Sequence, residues 1–163
     1  MKKTTFNSGT TIVELILYMG LLSIFIVMVV NLFGQVLSVQ TSSTAHSNVQ
    51  TNGNFILTKL SKDINLADDF VTPLNIGQTA NSIVLKNGLN NTSYTVVDGR
   101  LVLTDSSGTY NLNDVNTIIS DFLVKRLGNS GGKNGLQISY KITSTIVESE
   151  TKSATFNTFI SLR

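Results

Sequence analysis

The chain has 163 residues, 41 % of them hydrophobic, enough for about one domain with a long appended element and too short for two independent cores. Charge is scarce: 12 Lys+Arg against 10 Asp+Glu leave +2, and a charged fraction of 13 % lies well below that of an ordinary soluble domain, with no basic stripe for nucleic acid. Cysteine is absent and histidine occurs once, at His46, which excludes disulfide frameworks, thiolate metal sites, thiol nucleophiles, lipidated cysteines and His-based metal cages.

Lys2 and Lys3 open the chain, and the next basic residue is Lys59; residues 4–58 carry one formal charge, Glu14. Within that gap Ile12 to Phe33 reads IVELILYMGLLSIFIVMVVNLF. At a rise of ~1.5 Å per residue this run covers the ~30 Å hydrocarbon core of a bilayer. A membrane-spanning helix is therefore expected. Two lysines before it and none close behind place Met1 in the cytoplasm and everything after about Gly34 outside. A secretory signal peptide has a shorter apolar region, of about 7 to 15 residues, closed by a small-residue cleavage site, whereas this run passes into GQVLSVQ without one.

Glu14 is the anomaly in this segment. Inserting a carboxylate into an apolar helix costs on the order of 1 to 3 kcal/mol, depending on depth, so an intramembrane acid is read as functional and a partner is sought for it. No basic side chain stands nearby. A cut after Gly9 would give Thr10 a new α-ammonium about one helical turn from Glu14, within reach of the same helix or of a staggered neighbour.

Gly9-Thr10-Thr11-Ile12-Val13-Glu14-Leu15, behind a Lys-Lys leader and ahead of an apolar helix, resembles the class III signal peptide of type IV prepilins and pseudopilins. Thr10 stands where that family most often has phenylalanine. The resemblance implies cleavage between Gly9 and Thr10 by a membrane prepilin peptidase on the cytoplasmic side, N-methylation of Thr10, and a role in assembly for Glu14, which would neutralise the N-terminal amine of an adjoining subunit. It implies as partners other pilin or pseudopilin subunits, an assembly platform protein and the cytoplasmic membrane. A buried pair of this kind favours correct register, because misalignment strands a charge in an apolar bundle.

Beyond the span, helical spacing continues from Asn31 to about Asp69 through Phe55, Ile56, Leu57, Leu60, Ile64 and Ala67. Asn31 and Gly34 lower helix propensity just past the membrane and allow a bend there, and Gly53 invites a break or a change of register. Gly20, Ser23 and Gly34 are small enough to permit close helix packing. Leu57-x-x-Leu60-x-x-Asp63-Ile64-x-x-Ala67 and the closing Ile160-Ser161-Leu162-Arg163 are similar to J-type minor pseudopilins and W-type minor pilins, although any helix packed on a sheet shows such spacings.

Pro73 and Gly77 end the helical pattern, and β signals follow. Ser82 to Lys86 meets Asn87-Gly88; Tyr94 to Val97 meets Asp98-Gly99 ahead of Arg100 to Leu103; both pairs favour tight turns. Further strands are predicted at Ile118 to Leu127, Leu136 to Val147 and Ala154 to Leu162, with clean alternation in Leu136, Ile138, Tyr140 and Ile142, and a flexible connection over Gly128 to Gly135. The expected class is α+β, a long N-terminal helix with a membrane-spanning first half and a second half packed on an antiparallel sheet. The segments are a leader at 1–9, an assembly helix at 10–33, its extracytoplasmic part at 34–72 and a β-rich domain at 73–163.

No constellation for catalysis stands out. His46 has no neighbouring acid in sequence and is expected to face solvent. Asp63, Asp68 and Asp69 could offer oxygen ligands to a hard cation, as could the turn Asp105-Ser106-Ser107-Gly108, but EF-hand spacing is absent and solvated acids are the expectation. Phosphate, dinucleotide, nucleophile-elbow and zinc motifs are missing, so no enzyme activity, metal, cofactor or small-molecule substrate is assigned. Lys86, Arg100, Lys125, Arg126, Lys133, Lys141 and Lys152 are dispersed and expected to face water, and nucleic acid is not indicated. The expected role is a structural, minor subunit of a type IV pilus or type II secretion-like pseudopilus, processed by prepilin peptidase and assembled through its N-terminal helix. The alternative is a membrane-anchored extracytoplasmic binding or adhesion protein that never polymerises.

Overall fold

The computed structural model describes residues 11–129, 132–146 and 151–162, and the chain divides into two compact units with a boundary between Gln40 and Thr41. One helix, α1, runs Ile12–Leu66. In its second half Ala45, Val49, Gly53, Ile56, Leu60 and Ile64 are buried, a stripe at steps of three and four that matches the helical period and presents one apolar face to the sheets. The helix runs on through Asn31, Gly34 and Gly53; at Gly53 packing against Phe156 offsets the low propensity.

Gly53 is where the second half of α1 is fastened. A Cβ there would overlap the Phe156 ring, so the position requires glycine for close approach. Phe156 stacks on Tyr140 with ring centroids 5.4 Å apart, and the Tyr140 hydroxyl donates to the Gly53 carbonyl at 3.0 Å. The expected break is instead a contact. The helix ends at Leu66, earlier than the apolar spacing suggested, because the chain is captured by the sheet: the Asp68 N–H donates to the Lys86 carbonyl at 2.8 Å, and β1 follows directly.

Among the described residues nine strands form two antiparallel sheets, so the architecture is the expected α+β class. They are β1 (Asp69–Thr72), β2 (Thr79–Ala80), β3 (Ser82–Asn87), β4 (Asn90–Val97), β5 (Arg100–Asp105), β6 (Gly108–Asn111), β7 (Thr117–Leu127), β8 (Gly135–Ser144) and β9 (Ser153–Ser161). Sheet A has the order β1-β3-β4-β5-β6, and sheet B the order β2-β7-β8-β9. The chain passes from sheet B to sheet A through Asn81 alone. Asp98 and Gly99 both have positive φ, 49° and 74°, the signature of a type I′ hairpin between β4 and β5. Between β3 and β4 the loop residues are Gly88 and Leu89, with Asn87 still paired to Asn90, so the positive φ of 59° falls on Gly88 at the first loop position, as in a II′ turn.

The core is lined by Leu136, Ile138, Tyr140 and Ile142 of β8, the alternating set read from sequence, together with Ile83, Leu85, Tyr94, Leu101 and Ile119. Strand β7 changes phase midway. Between Ser120 and Leu123 its pairing with β8 shifts by a bulge, Asp121 takes φ 53°, and the inward set passes from Thr117 and Ile119 to Phe122, Val124 and Arg126. Arg126 is therefore buried, contrary to the expectation that it faces water. One guanidinium nitrogen, Nη1, donates to the carbonyls of Phe70 (3.2 Å), Pro73 (3.4 Å) and Leu74 (2.8 Å), Nη2 reaches Asp69 at 3.2 Å, and the group lies 5.3 Å from the Phe70 ring centre. The planar fork suits this role, pinning strand β1 and the Pro73–Leu74 segment that follows it.

Replacing Gly53 by alanine forces the Phe156 ring out of its stack and should lower stability by about 1 to 3 kcal/mol. In urea melts followed by near-ultraviolet dichroism, Gly53→Ala combined with Phe156→Ala should be less destabilising than the two single losses added together, because both changes act on one contact. Strict additivity would place the strain elsewhere.

A second expectation concerns alkaline pH. Burial pushes the phenols of Tyr94 and Tyr140 above the ordinary tyrosine value, and at Tyr94 the hydrogen bond donated to the Asp63 carboxylate adds to the effect. Below pH ~10 both phenols are protonated folded or unfolded, and their contribution is fully present. Above it the unfolded chain releases protons that the folded chain keeps, so stability falls by up to about 1.4 kcal/mol per pH unit per tyrosine. Melts from pH 8 to 11 should show this decline, and Tyr140→Phe should flatten it.

Candidate functional site

The first half of α1 has the opposite character to the second. Every residue from Thr11 to Thr41 is exposed, including Ile12 at 79 %, Phe25 at 62 % and Phe33 at 65 %. Each large apolar side chain left in water forfeits about 1.5 to 3 kcal/mol, so a segment with some twenty of them carries a deficit on the order of tens of kcal/mol unless lipid or other helices cover it. The helix is long and apolar enough to cross a membrane and lies near the N-terminus. A Cβ at Gly20 or Gly34 would meet no atom of this chain within 4 Å.

Near its N-terminal end the polar side chains of this segment find partners within the helix. Thr11 caps the helix: its carbonyl accepts from the Leu15 N–H at 3.2 Å and its hydroxyl from the Glu14 N–H at 3.4 Å, placing Glu14 at the third helical position, where a carboxylate is favoured by the positive end of the helix. One Glu14 oxygen accepts a hydrogen bond from the Tyr18 hydroxyl at 3.0 Å, and the Ser23 hydroxyl returns to the Met19 carbonyl at 2.8 Å. Tyr18 is the residue that reading by sequence missed. Its signal was present, since a donor four residues after Glu14 lies on the same face.

Glu14 is one of the residues singled out from sequence; the other two, Gly9 and Thr10, lie outside the described residues, as do Lys2, Lys3 and Arg163. His46 is exposed. The three candidate cation-binding acids are held by separate partners. Asp63 pairs with Lys59 at 3.0 Å and accepts from Tyr94; Asp68 accepts from the Gly88 N–H at 2.6 Å; Asp69 meets Arg126. Asp105 accepts from the Ser107 N–H at 2.7 Å and the Gly108 N–H at 3.2 Å, closing the β5–β6 turn. Among the described residues no three His, Asp or Glu side chains come together as a metal site.

Together these features define a class: an α+β chain with one apolar N-terminal helix able to cross a bilayer. Comparison with protein-family models, with curated sequences and with solved structures finds no match to this chain.

Removing the Tyr18 hydroxyl leaves the Glu14 carboxylate without its internal donor. Tyr18→Phe should reduce membrane insertion, read as the inserted fraction in a glycosylation-site assay, by about 0.5 to 1.5 kcal/mol, and the same change in a Glu14→Leu background should have no effect. Equal effects in both backgrounds would show that the hydroxyl acts independently of the acid.

Proposed function

We propose that this chain is a subunit of a type IV pilus-like or type II secretion-like pseudopilus filament, held in the cytoplasmic membrane before assembly with its N-terminus inside and its β-rich domain outside. The observation that carries the reading is a single carboxylate at the start of an apolar helix half that is exposed throughout among the described residues. Prepilin peptidase cuts between Gly9 and Thr10, and Thr10 is N-methylated. As helices leave lipid and bundle, their apolar surfaces cover one another, and Glu14 of one subunit meets the Thr10 amine of the next, which sets the axial offset. The assembly platform protein and sibling subunits are the partners. Force comes from a separate motor, and this chain contributes no catalysis.

A second reading has an observation in its favour. The Tyr18 hydrogen bond and the Thr11 cap give Glu14 a role inside a lone helix, as in a membrane-anchored extracytoplasmic protein that stays monomeric. Intact-mass spectrometry of the protein from its own host separates the two. Loss of residues 1–9, with or without an added methyl, supports the filament subunit, and a full-length N-terminus supports the anchor. Glu14→Ala and Glu14→Gln should insert normally yet fail to enter filaments in a pull-down of assembled fibres; normal incorporation of both would refute the role assigned to Glu14.

A further inference from the structure

We infer that Tyr18 is the positioning residue of the Glu14 contact: its hydroxyl turns the carboxylate away from its own N-terminus and joins it as a second acceptor for the Thr10 α-amine of another copy of this chain. The inference rests on the filament reading above and adds to it a residue and a direction. Thr11-Ile12-Val13-Glu14 has the spacing of a capping box, in which the first side chain takes the N–H of the fourth residue and the fourth side chain reaches back to the N–H of the first. Among the described residues only the forward half is made, with Thr11 Oγ1 accepting from the Glu14 N–H at 3.4 Å. The carboxylate instead accepts from the Tyr18 hydroxyl at 3.0 Å, one turn toward the C-terminus.

A tyrosine four residues on is well placed for this, because helical side chains lean toward the N-terminus and cover the preceding turn. The amine of the same chain precedes Thr11 in sequence, so meeting it would require the carboxylate to swing back and release the tyrosine. A neighbouring copy faces no such cost. Glu14 and Tyr18 are both exposed along the helix, Tyr18 at 57 %, and a helix packed alongside can reach them together.

The chemistry of the pair selects its occupant. Oε1 of Glu14 is the engaged oxygen, and among the described residues Oε2 accepts from no donor. A phenolic oxygen that donates keeps lone pairs with which to accept, so Oε2 and the Tyr18 hydroxyl offer two acceptors that share one negative charge. That charge calls for a cation, and residues 11–58 contain neither Lys nor Arg. A protonated secondary amine, the form that N-methylation of Thr10 would produce, carries two N–H donors, one for each acceptor. A primary amine carries three, and the third would stay unpaired among apolar side chains. Tyr18 thus serves both states: it gives the acid a donor in the lone helix and the incoming amine an acceptor in the bundle. Because the two residues stand one turn apart, the seat fixes the height of the neighbour to within about one turn.

The test uses the full chain in its own host. Wild type and variants are co-expressed, and the share of each in sheared fibres is divided by its share among inserted, processed subunits, so that effects on insertion cancel. Tyr18→Phe should enter fibres about tenfold less well, whereas Tyr18→Gln, whose amide both donates and accepts, should stay within about threefold of wild type. A role in packing alone gives the opposite order, because phenylalanine keeps the ring and glutamine does not. Solid-state NMR of isotope-labelled fibres should place the N-terminal nitrogen within about 4 Å of a tyrosine ζ carbon, a contact that processed subunits dispersed in lipid should lack. The inference is overturned if Tyr18→Phe enters as well as wild type or better than Tyr18→Gln, or if the NMR contact is absent from fibres or already present in dispersed subunits. Those results leave the filament reading standing. An uncut N-terminus, or Glu14→Gln entering fibres normally, overturns that reading and this inference with it.

Discussion

The fold depends on a stripe of six residues along the second half of α1. Ala45, Val49, Gly53, Ile56, Leu60 and Ile64 are each buried, and between them they supply the helix contribution to a core otherwise made by strands. Remove that stripe and each sheet loses the apolar surface that distinguishes its inner face from its outer one, since an antiparallel sheet needs one covered side to hold its register. Gly53 shows how tightly the stripe is specified. At that point helix and strand approach so closely that a methyl group does not fit, and the hydroxyl of Tyr140 turns a backbone carbonyl of the helix into an anchor.

The same element meets a different solvent at its other end. Ahead of Gln40 the apolar residues surround the axis instead of forming a stripe, and a helix apolar on all sides is stable only where no side faces water. This contrast was legible in sequence, because a long run with one charge against a segment of spaced apolar residues can be told apart without coordinates. Glu14 was legible for the same reason, as a charge where none is affordable. Its tyrosine partner was overlooked because the search was for a cation, whereas a neutral donor one turn away suffices to engage one carboxylate oxygen.

Strands announced themselves where one face is buried and turns are tight. The alternation in β8 and the Asp98-Gly99 pair translate directly into coordinates. The short strands β1, β2 and β6 were not legible, since two to four residues carry too little periodicity to stand out, and β1 is defined mainly by its pairing with β3. Arg126 was misjudged for a related reason. A basic residue in an alternating strand reads as outward unless a bulge inverts the phase, and the bulge at Asp121, five residues earlier, does that, turning a charged side chain toward the carbonyls of Phe70, Pro73 and Leu74.

Scarcity of charge links the two halves of the chain. In the helix it permits transfer into lipid; in the β-rich domain it leaves little long-range field. With ten Lys+Arg and nine Asp+Glu spread over residues 41–163, and Arg126, Lys59, Asp63 and Asp69 already engaged with one another or with backbone, little field remains to steer a partner from a distance. Any partner is then met without steering, at encounter rates near ~10⁵ to 10⁶ M⁻¹s⁻¹ and with little response to salt.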